Sequence, residues 1–238
     1  QSGFDITGCS FNNIPGTTSG TLTADDGTAI YINSGRGYKI HDGNTFDNVY
    51  STNFSIYKPY GIITYKATGF EIYNNTFRQL YNGIITDNSG HYGSSIKAAP
   101  NSSNTLLNYQ GNIFNNCNTG IVTKNNNVNL CIRCNTYNTP TINNYNWINE
   151  TGSILADQGF PGFQNITNNY LRSRYGAGNY FLPSSSKLIK NDVSNPYYNY
   201  YHHTTPEYIP VAVGNIHLFS IGVPFYSNSI SCPFPISI

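Results

Sequence analysis

The chain has 238 residues, with twelve Lys and Arg against eleven Asp and Glu, and its 10% charged residues are outnumbered by 15% aromatics. That length and apolar content allow a sizeable core and exclude a disordered composition. Because the basic residues are scattered singly, nucleic acid and anionic membrane surfaces are not expected partners.

Solubility falls instead to Asn, Ser, Thr and Tyr, a palette suited to extracellular contact with neutral polar matter such as glycans. Met is missing and the first residue is Gln1, which reads as a processed product. The most apolar stretch, residues 208–226, carries two prolines, an Asn and a His, so membrane insertion is not expected.

Along the chain one short pattern recurs. An aromatic follows a polar turn at Phe11, Phe46, Phe77, Phe114 and Tyr137, at separations of 35, 31, 37 and 23 residues. A second anchor is the strand AIYI, GIIT, GIIT or GIVT, which begins at Ala29, Gly61, Gly83 and Gly120. Ile84 and Ile121 each follow their aromatic by 7 residues, and Tyr137 follows Ile121 by 16, giving a minimal repeat of 23. The excess elsewhere is insertion, rich in turn residues as in PGTTSGTLTADDG and SGHYGSSIKAAPNSSN.

A period in the low twenties built from short β-branched strands predicts a solenoid of parallel strands, in which equivalent residues stack about 4.8 Å apart. Alternation then turns two positions inward ahead of each aromatic: Phe4, Phe70, Leu107 and Leu130, and Ile6, Ile72, Tyr109 and Ile132. Ahead of Phe46 one additional residue shifts the match to Tyr38 and Ile40, which predicts a β-bulge. Two positions before the aromatic stand Asn44, Asn75, Asn112 and Asn135, with Cys9 in the first repeat. Stacked carboxamides at a turn can bond to one another and to turn backbone, so these four predict a ladder.

NTF, NTF, NIF and NTY with their flanking strands resemble the right-handed parallel β-helix proteins of the pectin-lyase-like superfamily, over roughly residues 1–140. NLCIRCNTY, GSILADQG (152–159), AGNYF (177–181) and YYHHTTPEYIP (200–210), in that order, are similar to the β-helix regions of secreted bacterial surface proteins of the type IX export kind. The fold expected is therefore all-β: parallel β-helix coils over 1–140, then degenerate coils or a β-rich cap over 141–238. Since residues 3–14 already form a full repeat, the first coil has nothing left to cap it. Either the chain is a piece of a longer secreted protein, or the open end receives another copy.

The superfamily resemblance implies polysaccharide cleavage as the chemistry to look for, which needs paired carboxyl groups. Asp25 and Asp26 in ADDG and His91 in GHYG are weak candidates, because they lie in turn insertions about 65 residues apart. For a lyase, Asp42, Asp47 and Glu71 are candidates by proximity in the stack, with Arg78 and Lys66 nearby, but their columns do not converge on one face. Aromatic glycan contacts are sought in NPYYNYYHHTTPEY, at Tyr197, Tyr198, Tyr200, Tyr201, His202 and His203. The five cysteines include one CxxC, Cys131 and Cys134, without the second ligand pair that zinc needs. No metal or cofactor is expected, and the cysteines read as buried small residues with at most one or two bridges.

These features predict a non-enzymatic, extracellular, structural or adhesive protein of a bacterial surface, associating head to tail. A polysaccharide lyase, glycoside hydrolase or glycan-binding module is the competing class.

Overall fold

The computed structural model describes residues 3–14, 27–48, 58–89, 94–96, 111–128, 130–132, 134–138, 145–155, 157–158, 177, 179–182, 186–204 and 206–221. Within them the chain is all-β apart from one short 3-10 turn at Pro206–Tyr208. Every strand pairing is parallel, and the strands fall mainly into three sheets that the chain visits in rotation. Asp5–Thr7, Lys39–His41, Glu71–Tyr73, Ser95–Ile96 and Cys131–Ile132 make the first sheet. The second contains Ser10–Asn12, Thr45–Asp47, Thr76–Arg78, Ile113–Asn115, Thr136–Asn138 and Tyr180–Phe181. The third runs from Thr28–Asn33 through Tyr60–Tyr65, Asn82–Asp87, Thr119–Lys124, Tyr145–Asn149 and Leu188–Asn191 to Val211–Gly214. This path is consistent with a β-helix-like solenoid, and the parallel pairing continues well beyond residue 140.

The core is a set of files along the stacking direction. Phe11, Phe46, Phe77, Phe114, Tyr137 and Phe181 stack ring on ring, with centroids 4.8, 4.8, 5.0, 5.1 and 5.5 Å apart. Phe4, Tyr38 and Phe70 form a second aromatic file at 5.2 and 5.4 Å. Ile6, Ile40, Ile72, Ile96 and Ile132 pair successively in the first sheet, and Ile30, Ile62, Ile84, Ile121, Trp147 and Ile189 do so in the third. The spacing of parallel strands brings like side chains into contact, so repetition in sequence becomes dispersion and burial in the fold.

Two local expectations are corrected. The inward positions assigned to Leu107 and Tyr109 belong to Ser94 and Ile96, because Ile96 pairs with both Ile72 and Ile132. Leu107 and Tyr109 themselves lie outside the described residues. The additional residue before Phe46 is also not a bulge. Asp42 and Gly43, with φ of 56° and 87°, lengthen the turn that Asn74 makes with one residue at 53°.

Turns between sheets use the left-handed backbone region repeatedly. Asn13, Asn74, Asn88, Asn116 and Asn125 all have φ between 50° and 57° there, a conformation whose steric cost short polar side chains offset with local hydrogen bonds. Glycine is needed where the third sheet begins: a Cβ on Gly83 would lie 2.6 Å from the Phe114 ring and 2.7 Å from the Gly120 carbonyl. Gly61 faces Phe77 and Gly120 faces Tyr137 in the same way. The G in GIIT is therefore the clearance that lets the aromatic file run past the sheet edge.

Candidate functional site

The buried polar residues are organised as ladders. Asn44 Nδ2 donates to Asn75 Oδ1 at 2.9 Å, Asn75 to Asn112 at 3.0 Å, Asn112 to Asn135 at 2.9 Å and Asn135 to Asn179 at 3.2 Å. The same amides donate to the Ile6, Ile40, Ile72, Ile96 and Ile132 carbonyls across the turn. At one end Cys9 contributes only its backbone N–H, to Asn44 Oδ1 at 2.9 Å. At the other, Asn179 donates to the Tyr200 hydroxyl at 3.2 Å. Asn179 was missed in the sequence because the repeat of AGNYF lies after a long insertion.

A second ladder closes another corner. Thr123 Oγ1 donates to Asn149 Oδ1 at 2.5 Å, Asn149 to Asn191 at 2.6 Å, and Asn195 to Asn191 at 2.9 Å. Both ladders are buried and hydrogen-bonded to backbone, which assigns them to holding the turns. Asn149 opens the glycosylation-type sequence Asn149-Glu150-Thr151, but its side chain is buried in this ladder.

Chemistry facing solvent sits elsewhere. On the outer face of the first sheet, Asp5, Lys39 and Glu71 share one file and Thr7, His41 and Tyr73 the next. His41 Nδ1 lies 2.7 Å from Asp42 Oδ2, its Nε2 is 4.0 Å from Asp5 Oδ2, and its ring stacks 4.8 Å from Tyr73. Lys39 lies 3.8 Å from Glu71. Burial, with the carboxylates of Asp42, Glu71 and Asp5, pushes the Tyr73 hydroxyl up to about 12.

The lyase candidates do not converge. Asp42 and Glu71 belong to this first-sheet face, Asp47 pairs with Arg78 at 3.9 Å on the second sheet, and Lys66 sits at the end of the third against the Tyr65 ring. Asp25, Asp26 and His91 lie outside the described residues. No group of three or more metal-ligating side chains occurs among the described residues.

The tyrosine-rich segment divides by alternation. Tyr198, Tyr200 and His202 point inward and are buried, which corrects their assignment as glycan contacts. Burial raises the Tyr198 hydroxyl well above its ordinary value, and Tyr200 and Tyr137 shift the same way. Tyr197 and Tyr201 point outward and meet rings on the neighbouring strand, Tyr197 with His217 at 4.5 Å and Tyr201 with Phe219 at 5.3 Å. Asn199 lies between them and bonds Asp157 through its backbone N–H at 2.7 Å and its amide at 2.9 Å. His203 continues the strand. His217 and Phe219 are the members of this surface that the sequence reading passed over.

Cys134 is in a disulfide, whereas Cys9, Cys117 and Cys131 are thiols. Cys117 is wholly buried, which pushes its thiol up to about 12. No family model, no curated protein and no solved structure matches the chain.

Proposed function

We propose that this chain is a right-handed parallel β-helix serving as a non-enzymatic, extracellular, structural or adhesive element of a bacterial surface, and that it associates head to tail. The observation that carries the reading is the edge of the first sheet among the described residues. Phe4 stacks on Tyr38 with 47% of its surface exposed, and among the described residues Asp5–Thr7 is the edge strand of its sheet, paired with Lys39–His41. A row of unpaired strand groups topped by an exposed ring is a template for another strand.

Placement outside the cell draws support from the disulfide at Cys134, since such bonds persist in oxidising compartments. Purified protein should form concentration-dependent filaments in electron microscopy and sedimentation. Dispersed monomers at high concentration would count against head-to-tail association.

A second reading, glycan binding, is favoured by the outward rings of Tyr197, Tyr201, His217 and Phe219 beside Asn199. Retention on insoluble polysaccharides, lost in Tyr197→Ala, is its test. The competing enzymatic class is separated by assaying reducing ends and unsaturated products from acidic polysaccharides, with and without calcium. Turnover lost in His41→Ala or Asp26→Ala would replace the structural reading.

A further inference from the structure

One buried nitrogen on the outer face of the first sheet lacks a hydrogen bond. His41 Nδ1 lies 2.7 Å from Asp42 Oδ2, and because an ionised carboxylate only accepts, Nδ1 must hold a proton in both charge states of the ring. In the neutral imidazole Nε2 is then a bare lone pair. That atom is buried and has no hydrogen-bond partner among the described residues. Asp5 Oδ2 is 4.0 Å away, beyond hydrogen-bond range, and two acceptors facing each other have no proton to share.

The charged and titratable groups around the ring come from three neighbouring strands and one turn. Asp5 stands on Asp5–Thr7, Lys39 on the strand of His41 itself, Asp42 in the turn that follows, and Glu71 and Tyr73 on Glu71–Tyr73. Lys39 is engaged with Glu71 at 3.8 Å, and the Tyr73 ring stacks on the imidazole at 4.8 Å. Asp5 and Asp42 are left flanking the ring with two negative charges. The Asp5 side chain is 62% exposed, so it has the room to rotate across the remaining gap.

We infer that His41 is an acid-operated latch on the first strand: protonation gives Nε2 a hydrogen that Asp5 accepts, and one imidazolium then bridges Asp5 and Asp42. Imidazole side chains in general change charge between about pH 5 and 8, a range in which carboxylates in general stay ionised. The added bond exists only in the protonated ring, so it is present at the acid end of that range and lost as pH rises through it. It reinforces a junction otherwise made at this turn by Gly8 N–H on Asp42 O at 3.2 Å and Cys9 N–H on Asn44 Oδ1 at 2.9 Å. The latch acts within one chain and does not depend on head-to-tail association.

The test is amide hydrogen exchange of the full-length protein at about pH 5 and about pH 8, read by NMR at Gly8 and Cys9 and corrected for intrinsic exchange rates. Opening of the first strand should be about tenfold rarer at the acid end, the effect of one charge-assisted hydrogen bond. That gain should vanish in Asp5→Ala and in His41→Gln. Nitrogen-15 spectra of the His41 ring at the alkaline end should show Nδ1 protonated and Nε2 bare. If His41→Gln does not fold, Asp5→Ala, at an exposed side chain, decides the matter. Equal protection of the wild type at both pH values, the same acid gain in Asp5→Ala, or a neutral ring protonated at Nε2 would each overturn the latch.

Discussion

Asn112→Ala is the most informative perturbation of the scaffold. The side chain is fully buried and makes four hydrogen bonds: to Ile72 O and Asn135 Oδ1, both at 2.9 Å, and from Asn75 Nδ2 at 3.0 Å and Asn75 N at 3.3 Å. Truncation leaves buried partners on both neighbouring layers unsatisfied. At about 1 kcal/mol for each lost bond the cost is about 4 kcal/mol, which for a chain of this size lowers Tm by roughly 8–16 °C. The control is Asn138→Ala, which removes a longer bond of 3.3 Å to Asn115 Oδ1 on the outer face of the second sheet and should cost at most about 0.5 kcal/mol. Urea unfolding followed by the fluorescence of Trp147, the one tryptophan and a buried one, reads both. Asn75→Ala combined with Asn112→Ala should cost less than the sum of the two, by about 1 kcal/mol, because the Asn75 Nδ2 to Asn112 Oδ1 bond that both remove is lost only once. Equal losses for Asn112→Ala and Asn138→Ala, or strict additivity of the buried pair, would refute the ladder as a source of stability.

Gly83→Ala should destabilise by about 1–3 kcal/mol, since the new methyl meets the Phe114 ring and a backbone carbonyl; Gly8→Ala, with open space around it but φ of 61°, should cost about 1–2 kcal/mol from backbone strain alone. Tyr200→Phe should cost about 1 kcal/mol through loss of the Asn179 bond, measured by the same unfolding curve, whereas Tyr198→Phe, whose buried hydroxyl has no hydrogen-bond partner among the described residues, should be neutral or stabilising. Buried tyrosines also set the alkaline limit. Tyr137 and Tyr198 hold their protons in the folded chain above the ordinary value, so stability is intact below about pH 10 and falls as the unfolded chain ionises above it, together with delayed phenolate absorbance. Alkylation of the native protein near neutral pH should label exposed Cys9 and spare Cys117 until unfolding, as mass spectrometry of the two peptides would show.

Legibility in the sequence followed the stacking axis. Phe11, Phe46, Phe77, Phe114 and Tyr137 could be placed in one file from spacing alone because each has one environment, the ring above and the ring below. The Asn file was visible for a similar reason: a carboxamide both donates and accepts, so it is the side chain that can repeat upon itself. What failed lay where an insertion separates two repeats. Ser94 and Ile96 were passed over for the more apolar Leu107 and Tyr109, since hydrophobicity alone does not fix which residues of a long interval pair with the neighbouring strands. Asn179 was lost because 44 residues separate Tyr137 from Phe181, and Gln158 because it replaces strand backbone with its own amide.

The outward files were barely legible, and the cause is physical. An inward residue must match its neighbours above and below, so its type is constrained at every layer. An outward one answers only to solvent and to whatever it binds. Asp5, Lys39 and Glu71 in one file, or Asn199 and His217 in another, therefore show no repeat to detect. Alternation within NPYYNYYHH could say that half the rings face out, but not which ring meets them from the next strand. That required the parallel register setting Tyr201 on Phe219 and Asn199 on His217. The residues that carry recognition in this architecture are those whose identity the repeat leaves free. They become visible only where a file gathers unlike groups, as around His41.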